Sequence, residues 1–337
     1  METHEHEAPA AETALEDRLE EALFEIRRVI AGQDEMLERV LVCLLARGHL
    51  LIEGVPGLAK TLTVKTTAGV LGGTFHRVQF TPDLVPSDLV GTRIYRADSG
   101  VFDTELGPVF CNFLLADEIN RAPAKVQSAL LEVMQERQVT IGNETHAAPR
   151  PFLVMATQNP IESEGTYPLP EAQVDRFMLK VVVGYPTPQD ELTVVERSLA
   201  GLADVRQILD VDELVSLRAA VTGVYVDPAL SRYAVGIAGA TRDLASVGLA
   251  ELKPYVSFGA SPRGPIALLT ASRALALVRG RDYVLPQDVR ELAHDALHHR
   301  IVLSYEALAA EVGGDSIIDS VLGVLPMPEL DLAERAA

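Results

Sequence analysis

His49-Leu50-Leu51-Ile52-Glu53-Gly54-Val55-Pro56-Gly57-Leu58-Ala59-Lys60-Thr61 sets a short apolar run directly against a glycine-containing loop that ends in Lys-Thr. The run fits a buried strand, and the residues from about Lys60 fit a helix. A loop that joins a strand to a helix N-terminus in this way cradles phosphate. Its backbone N–H groups and the positive end of the helix dipole face the anion. On this reading Gly54, Val55, Pro56, Gly57, Leu58, Ala59, Lys60, Thr61 and Leu62 hold a nucleotide. Lys60 neutralises charge on the β- and γ-phosphates, and the Thr61 hydroxyl ligates Mg2+. One residue departs from G-x-x-x-x-G-K-[ST]: Ala59 stands where the second glycine belongs. Alanine fits a right-handed backbone there, and the change has a cost only if the position needs positive φ. For the loop alone, a surface turn before a helix is the competing reading.

Some 55 residues downstream, Phe113-Leu114-Leu115-Ala116-Asp117-Glu118 is an apolar strand ending in two carboxylates. At the C-terminal end of a parallel strand they sit beside the phosphate crevice. Asp117 then holds Mg2+ through water, and Glu118 is the general base for the attacking water. A third apolar run, Phe152 to Thr157, ends in Gln158-Asn159, where Asn159 is placed to hydrogen-bond the γ-phosphate or its water.

Around these motifs strands alternate with helices. Arg77–Phe80 and Val181–Val183 are further strand candidates, and Ala124–Glu136 is a helix. The alternation predicts an α/β domain, a parallel sheet with helices on both faces. After Tyr185-Pro186-Thr187-Pro188 the strands stop, and residues 189–310 read as helices: Gln189–Ala200, Val211–Val221, Asp227–Arg242, Pro262–Arg279 and Pro286–His299. Asp227-Pro228 and Ser261-Pro262 are start signals, a capping side chain followed by proline at the first turn. The expected division is an acidic flexible N-terminus (1–18), an α/β core (19–186), a linker (187–209), an all-α lid (210–325) and an acidic flexible C-terminus (326–337). Two hairpins interrupt the core. Residues 84–108 alternate on either side of Asp98-Ser99-Gly100, and residues 137–151 place Gly142-Asn143 between two short strands.

Composition narrows the function classes. The formal charge is −19, with 48 Asp and Glu against 29 Lys and Arg, so most of the surface repels nucleic-acid phosphates and no nucleic acid is expected as partner. The first 24 residues hold eight acids against Arg18, and residues 301–337 hold seven against Arg335. Cys43 and Cys111 lie among apolar neighbours and read as core thiols of a reducing compartment. The first residues lack a positive n-region and an apolar h-region, so no signal peptide is expected, and no apolar run is long enough to span a bilayer, which predicts a cytoplasmic protein without direct membrane insertion. His146 and His298-His299 lack metal-ligand spacing and read as solvated.

The order of motifs resembles the AAA+ ATPases and, within them, the MoxR family. The carrying residues are Gly54–Thr61 with its Ala59, Asp117-Glu-Ile-Asn-Arg121, Ala156-Thr-Gln-Asn-Pro160, Leu169-Pro-Glu-Ala-Gln-Val-Asp-Arg-Phe177 and Gly259-Ala-Ser-Pro-Arg263. The resemblance implies an AAA+ P-loop core followed by a helical lid, with ATP and Mg2+ as its ligands. It implies that Arg176 is an arginine finger reaching a neighbouring subunit's site and that Arg263 is the sensor arginine of the lid, acting in cis or in trans. Val29-Ile30-Ala31-Gly32-Gln33 resembles the segment that packs on the base, through Ile30 and Gly32. It further implies a homo-oligomeric ring, a hexamer, whose ATP cycles remodel, mature or activate a client or adaptor protein, including partners with a von Willebrand factor A domain and metal-enzyme complexes. The rival readings are a magnesium-chelatase-like motor subunit, a ring nucleic-acid motor and a nucleotide-gated scaffold without turnover.

Overall fold

The computed structural model describes residues 8–55, 58–98, 100–160, 165–201 and 203–330. The outermost residues of both acidic ends, the tip residue Ser99 and the loop residues Pro56 and Gly57 lie outside this set. Eleven strands occur among the described residues. They are β1 (Leu50–Gly54), β2 (Phe75–Gln79), β3 (Gly91–Arg96), β4 (Val101–Leu106), β5 (Phe113–Asp117), β6 (Gln138–Ile141), β7 (Glu144–Ala147), β8 (Leu153–Gln158), β9 (Leu179–Val183), β10 (Val256–Phe258) and β11 (Val302–Leu303).

Five of them form one parallel sheet in the order β2-β5-β8-β1-β9. The sheet forms because its central strands are apolar on both faces, as parallel strands covered on each side must be. Side chains alternate across it. Leu50, Ile52, Phe113, Leu115, Leu153 and Met155 enter one core, while Leu51, Leu114, Ala116, Val154 and Ala156 enter the other. All five strands point the same way, so Gly54, Asp117 and Gln158 end along one edge.

The helices of the core are α1 (Ala8–Arg27), α2 (Asp34–Leu45), α3 (Lys60–Val70), α4 (Pro86–Val90), α5 (Ala124–Glu136) and α6 (Glu171–Val174). The first helix starts at Ala8, inside the stretch 1–18 expected to be a flexible terminus. Its anchor is the face of Leu19, Ala22, Leu23 and Ile26, all buried. Both predicted hairpins are present, β3 with β4 and β6 with β7, each antiparallel. Tyr95 and Phe102 pair across the first with ring centroids 5.2 Å apart, both more than half exposed. Cys43 and Cys111 are buried free thiols, as expected of core residues.

After α7 (Pro188–Ala200), which buries none of its residues, the lid comprises α8 (Val211–Gly223), α9 (Pro228–Arg242), α10 (Arg263–Val278), α11 (Pro286–Glu291), α12 (Ala293–Leu297), α13 (Tyr305–Ala309) and α14 (Gly314–Val324). The start at α9 is as read, while at α10 the helix begins one residue later, with Pro262 in the cap position and Ser261 before it. The Asp227 side chain accepts the Ala229 N–H at 2.7 Å, and Ser261 Oγ accepts the Arg263 N–H at 3.2 Å. Two further details differ from the sequence reading. The lid carries a small antiparallel ribbon, β10 with β11, and the expected helix Pro286–His299 bends at Leu292 into α11, α12 and a 3₁₀ turn, His298–Arg300. The bend lets Val289, Leu292, Ala293, Ala296 and Leu297 all be buried while the segment packs on both α10 and β9. A buried ion-pair cluster fastens lid to core: Arg39 of α2, 2 % exposed, donates to Asp295 at 2.7 Å and to Glu291 at 3.2 Å. Among the described residues no helix is long and apolar enough to cross a membrane.

Candidate functional site

The C-terminal ends of β1, β5 and β8 open into a crevice of about 430 Å3. Gly54, Leu58, Ala59, Lys60, Thr61, Leu62, Asp117, Glu118 and Asn159 line it together with Arg77, Thr157 and Gln158. Residues more than 100 positions apart thus meet because parallel strands deliver their ends to one edge, where ligands of open α/β sheets bind. Val55 packs against the first core.

Lys60 opens α3 and donates from Nζ to the Gly54 carbonyl. Burial pulls its pKa down, while Asp117, Glu53 and Glu118 pull the other way. Ala59, the residue before α3, has φ 55° and ψ 15°. The right-handed conformation that would make alanine free of cost is therefore not the one adopted. A Cβ in the left-handed region costs on the order of 1 kcal/mol, and this position does want the glycine that the sequence lacks.

Asp117 is fixed from two sides. Oδ1 accepts from Thr157 Oγ1 at 2.5 Å, and Oδ2 accepts from Arg77 Nη2 at 2.6 Å. Glu118 is in the left-handed region at φ 56° and ψ 50°, a strained placement of the kind found at functional sites. Its N–H donates to Thr157 Oγ1 at 2.9 Å, and its Oε2 accepts from Gln79 Nε2 at 2.8 Å and Arg121 Nη1 at 2.9 Å. Asn159, 8 % exposed, closes the same end. Thr61 and Asp117 offer two hard oxygen donors on one crevice, the number that a phosphate-bound Mg2+ takes from protein. The donor set therefore fits that ion.

Gly32 lines a second recess of about 190 Å3 with Gln33, Asp34, Glu35, Met36 and Val181–Tyr185. It adjoins the phosphate loop, since Val183 of β9 pairs with Gly54. Ile30 is buried in the first core at 5 % exposure.

Arg176 and Arg263 do not line the crevice of their own chain. Both are exposed, and Asp175 joins them: it precedes Arg176 and lies 3.6 Å from Arg263 Nη1. Sequence reading missed Arg77, Gln79, Thr157 and Arg121 as site residues. The first two sit on β2, and their signal is the pairing of Gln79 with Asp117, a register that no local pattern reveals. Thr157 was legible as the residue of β8 beside the chosen Asn159.

Comparison with known proteins agrees with this geometry. The model of the ATPase family associated with various cellular activities (AAA) matches residues 49–179, and the AAA lid domain matches residues 250–321. Chaperone MoxR1 of Mycobacterium tuberculosis is 56 % identical over 97 % of this chain and 88 % of its own length. Protein MoxR of Paracoccus denitrificans is 35 % identical over 92 % of this chain and 96 % of its own. A solved structure of an ATPase candidate from Cytophaga hutchinsonii superposes with a TM-score of 0.90 at 46 % identity, covering 96 % of this chain and 98 % of that one.

Proposed function

Because the chain belongs to the MoxR family of AAA+ ATPases, we propose that it hydrolyses ATP with Mg2+ in a cytoplasmic homo-oligomeric ring, a hexamer, and that each cycle remodels or activates a partner protein. One observation carries the reading: Lys60, Asp117, Glu118 and Asn159 converge on one crevice, while Arg176 and Arg263 are exposed and do not line it. A site with its cradle in one place and its arginines on another surface is completed by a neighbour.

In this mechanism the loop N–H groups and Lys60 hold the β- and γ-phosphates, and Thr61 and Asp117 would hold Mg2+, which would supply neutralisation of phosphate charge when bound. Glu118 takes the proton of the attacking water, with Asn159 orienting that water. Arg176 of one subunit stabilises charge developing on the γ-phosphoryl group of the next, and Arg263, bridged to the same Asp175, serves the same neighbouring site. The base lies in the recess lined by Gly32, with Ile30 in the core segment just before it. The client is a protein, with von Willebrand factor A domain proteins and metal-enzyme complexes as the classes that the family resemblance suggests.

The test is turnover and nucleotide binding in three variants. Lys60→Ala loses nucleotide binding. Glu118→Gln binds ATP and loses turnover by about 10²- to 10⁴-fold. Arg176→Ala is inactive alone and regains activity when mixed with Lys60→Ala chains. Normal turnover by Glu118→Gln, or full activity of pure Arg176→Ala protein, refutes the assignment.

A further inference from the structure

Arg300 belongs to the lid, in the 3₁₀ turn after α12, yet its guanidinium is spent on the core segment that bears Arg176. The side chain is 2 % exposed. Nε donates to Asp175 Oδ1 at 2.8 Å, Nη2 to the carbonyls of Asp175 at 3.2 Å and Phe177 at 2.7 Å, and Nη1 to the carbonyl of Met178 at 3.2 Å. Nη1 also donates to the Ala296 carbonyl of α12. The carbonyls it grips stand on both sides of Arg176, at 175 and at 177 and 178. The Phe177 ring behind them is fully buried, and Asp175 accepts from Ser261 Oγ at 3.2 Å as well. The side chain of residue 176, exposed, leaves the surface from between these bonds.

We propose that Arg300 is a positioning residue for Arg176: the lid, through one buried guanidinium, fixes the place and direction from which the finger departs. The argument rests on the trans role of Arg176 proposed above. A long arginine side chain lands on a neighbour's phosphate within catalytic tolerance only if its Cα is held, and a displacement of about 1 Å is enough to cost roughly 100-fold. Arginine suits the task because its planar fork presents five donors in fixed directions. Lysine offers one nitrogen, which reaches the Asp175 carboxylate or a carbonyl and cannot bracket the segment. The bonds that fasten lid to core thereby also tie the attitude of the lid to the finger that serves the neighbouring site.

The experiment uses full-length Arg300→Gln and Arg300→Lys proteins beside Arg176→Ala. It measures turnover, the Kd of a fluorescent ATP analogue, and activity after mixing with Lys60→Ala chains. Positioning predicts that Arg300→Gln loses about 100-fold in kcat with the analogue Kd within threefold of the parent. The Arg176→Ala/Arg300→Gln double variant is then no slower than Arg176→Ala. Mixing with Lys60→Ala restores turnover, because those chains bring an intact 175–178 segment to the intact pockets of the Arg300 variant. Arg300→Lys, which keeps a buried cation on Asp175, shows the same kcat loss and the same rescue, and it carries the test if the glutamine variant fails to fold. Unchanged kcat overturns the proposal. So does a loss that mixing cannot restore, which makes Arg300 a fastening of its own chain alone. If Arg176→Ala itself is not restored by mixing, the trans reading has failed, and the proposal falls with it.

Discussion

Lowering the pH should withdraw stability through one histidine, His49, and its surroundings set how much. His49 is 5 % exposed. Its Nδ1 accepts the Val154 N–H at 3.0 Å, and its Nε2 lies 3.1 Å from the Met134 carbonyl. That pattern requires a neutral ring with the proton on Nε2, because a proton on Nδ1 would oppose the Val154 N–H. Burial pushes its pKa down to about 4, with the Met134 carbonyl opposing and the charges of Arg137 and Arg218 adding. An unfolded histidine protonates near its ordinary 6.5, so the unfolded chain binds a proton that the native chain refuses. The drop of about 2.5 units, at about 1.4 kcal/mol each, is worth about 3 kcal/mol. This contribution is full above pH 6.5, declines as the pH falls below it, and is gone near pH 4.

Wild-type stability alone does not isolate the term. Burial holds His298 down to about 4, in the same sense, and raises the Asp295 carboxyl to about 6 against its Arg39 partner, in the opposite sense. The comparison is therefore urea unfolding of wild type and His49→Gln from pH 7.5 to 4.5. Glutamine keeps a donor and an acceptor on one side chain and does not titrate. The stability difference between the two proteins should shift by about 2–3 kcal/mol over that range, always toward the variant as the pH falls. A difference independent of pH refutes the neutral, buried assignment.

Ala59→Gly removes a Cβ from a left-handed backbone, a gain of about 1 kcal/mol that added freedom of the unfolded chain partly offsets. Its thermal midpoint should equal or exceed that of the parent, and a fall of several degrees contradicts the positive φ. His294 sits between Asp315 and Asp319 at 3.1 and 3.0 Å, and its pKa is raised, first by the Asp315 bond. The stabilisation it gives is full below pH 6.5 and is lost as the pH climbs through the raised value; an NMR titration midpoint at or below 6.5 would disprove it. Gly91 has φ 98°, and a Cβ there would lie 2.2 Å from the Glu105 carbonyl oxygen at the base of the β3–β4 hairpin. Gly91→Ala should cost about 1–3 kcal/mol and raise amide exchange across 91–106, and unchanged exchange there would show that the hairpin base tolerates it.

The phosphate loop and the Asp-Glu strand end were legible because each is a local pattern, an apolar run stopped by residues whose chemistry has few other uses. The parallel sheet followed from strand–helix alternation, and both hairpins from alternation about a turn. Long-range pairing left no such trace. Arg77 and Gln79 reach the carboxylates only because β2 takes the edge beside β5, 38 residues away along each paired position. The hand of Ala59 was hidden too, since alanine itself prefers the right-handed region. His298 and His299 read as solvated for want of metal-ligand spacing, but the half-buried turn they share with Arg300 packs against the Asp175–Met178 segment. Tertiary burial, which local composition does not record, decided that case.

The geometry around Thr157 separates what stays from what leaves when the crevice fills. Thr157 is 2 % exposed, and its one oxygen both donates to Asp117 and accepts from the Glu118 N–H. A buried bond of this kind is costly to break without replacement, so it fixes the direction of the Asp117 carboxylate and the place of the Glu118 backbone. Cations near solvent hold the remaining carboxylate oxygens, Arg77, 48 % exposed, on Asp117 Oδ2 and Arg121, 41 % exposed, on Glu118 Oε2, which Gln79 Nε2 shares. Pairs so exposed are worth about 0–1 kcal/mol. Arg77 can therefore give up Asp117 Oδ2 to a divalent cation at little cost while Oδ1 keeps its bond to Thr157. Arg121 can likewise release Glu118 to a water while the backbone at 118 remains in its left-handed turn. On the function proposed above, Asp117 is thus aimed before the substrate arrives, and the exposed partners of the two acids are what exchange. This is the form of preorganisation that leaves least to rearrange at the moment of reaction.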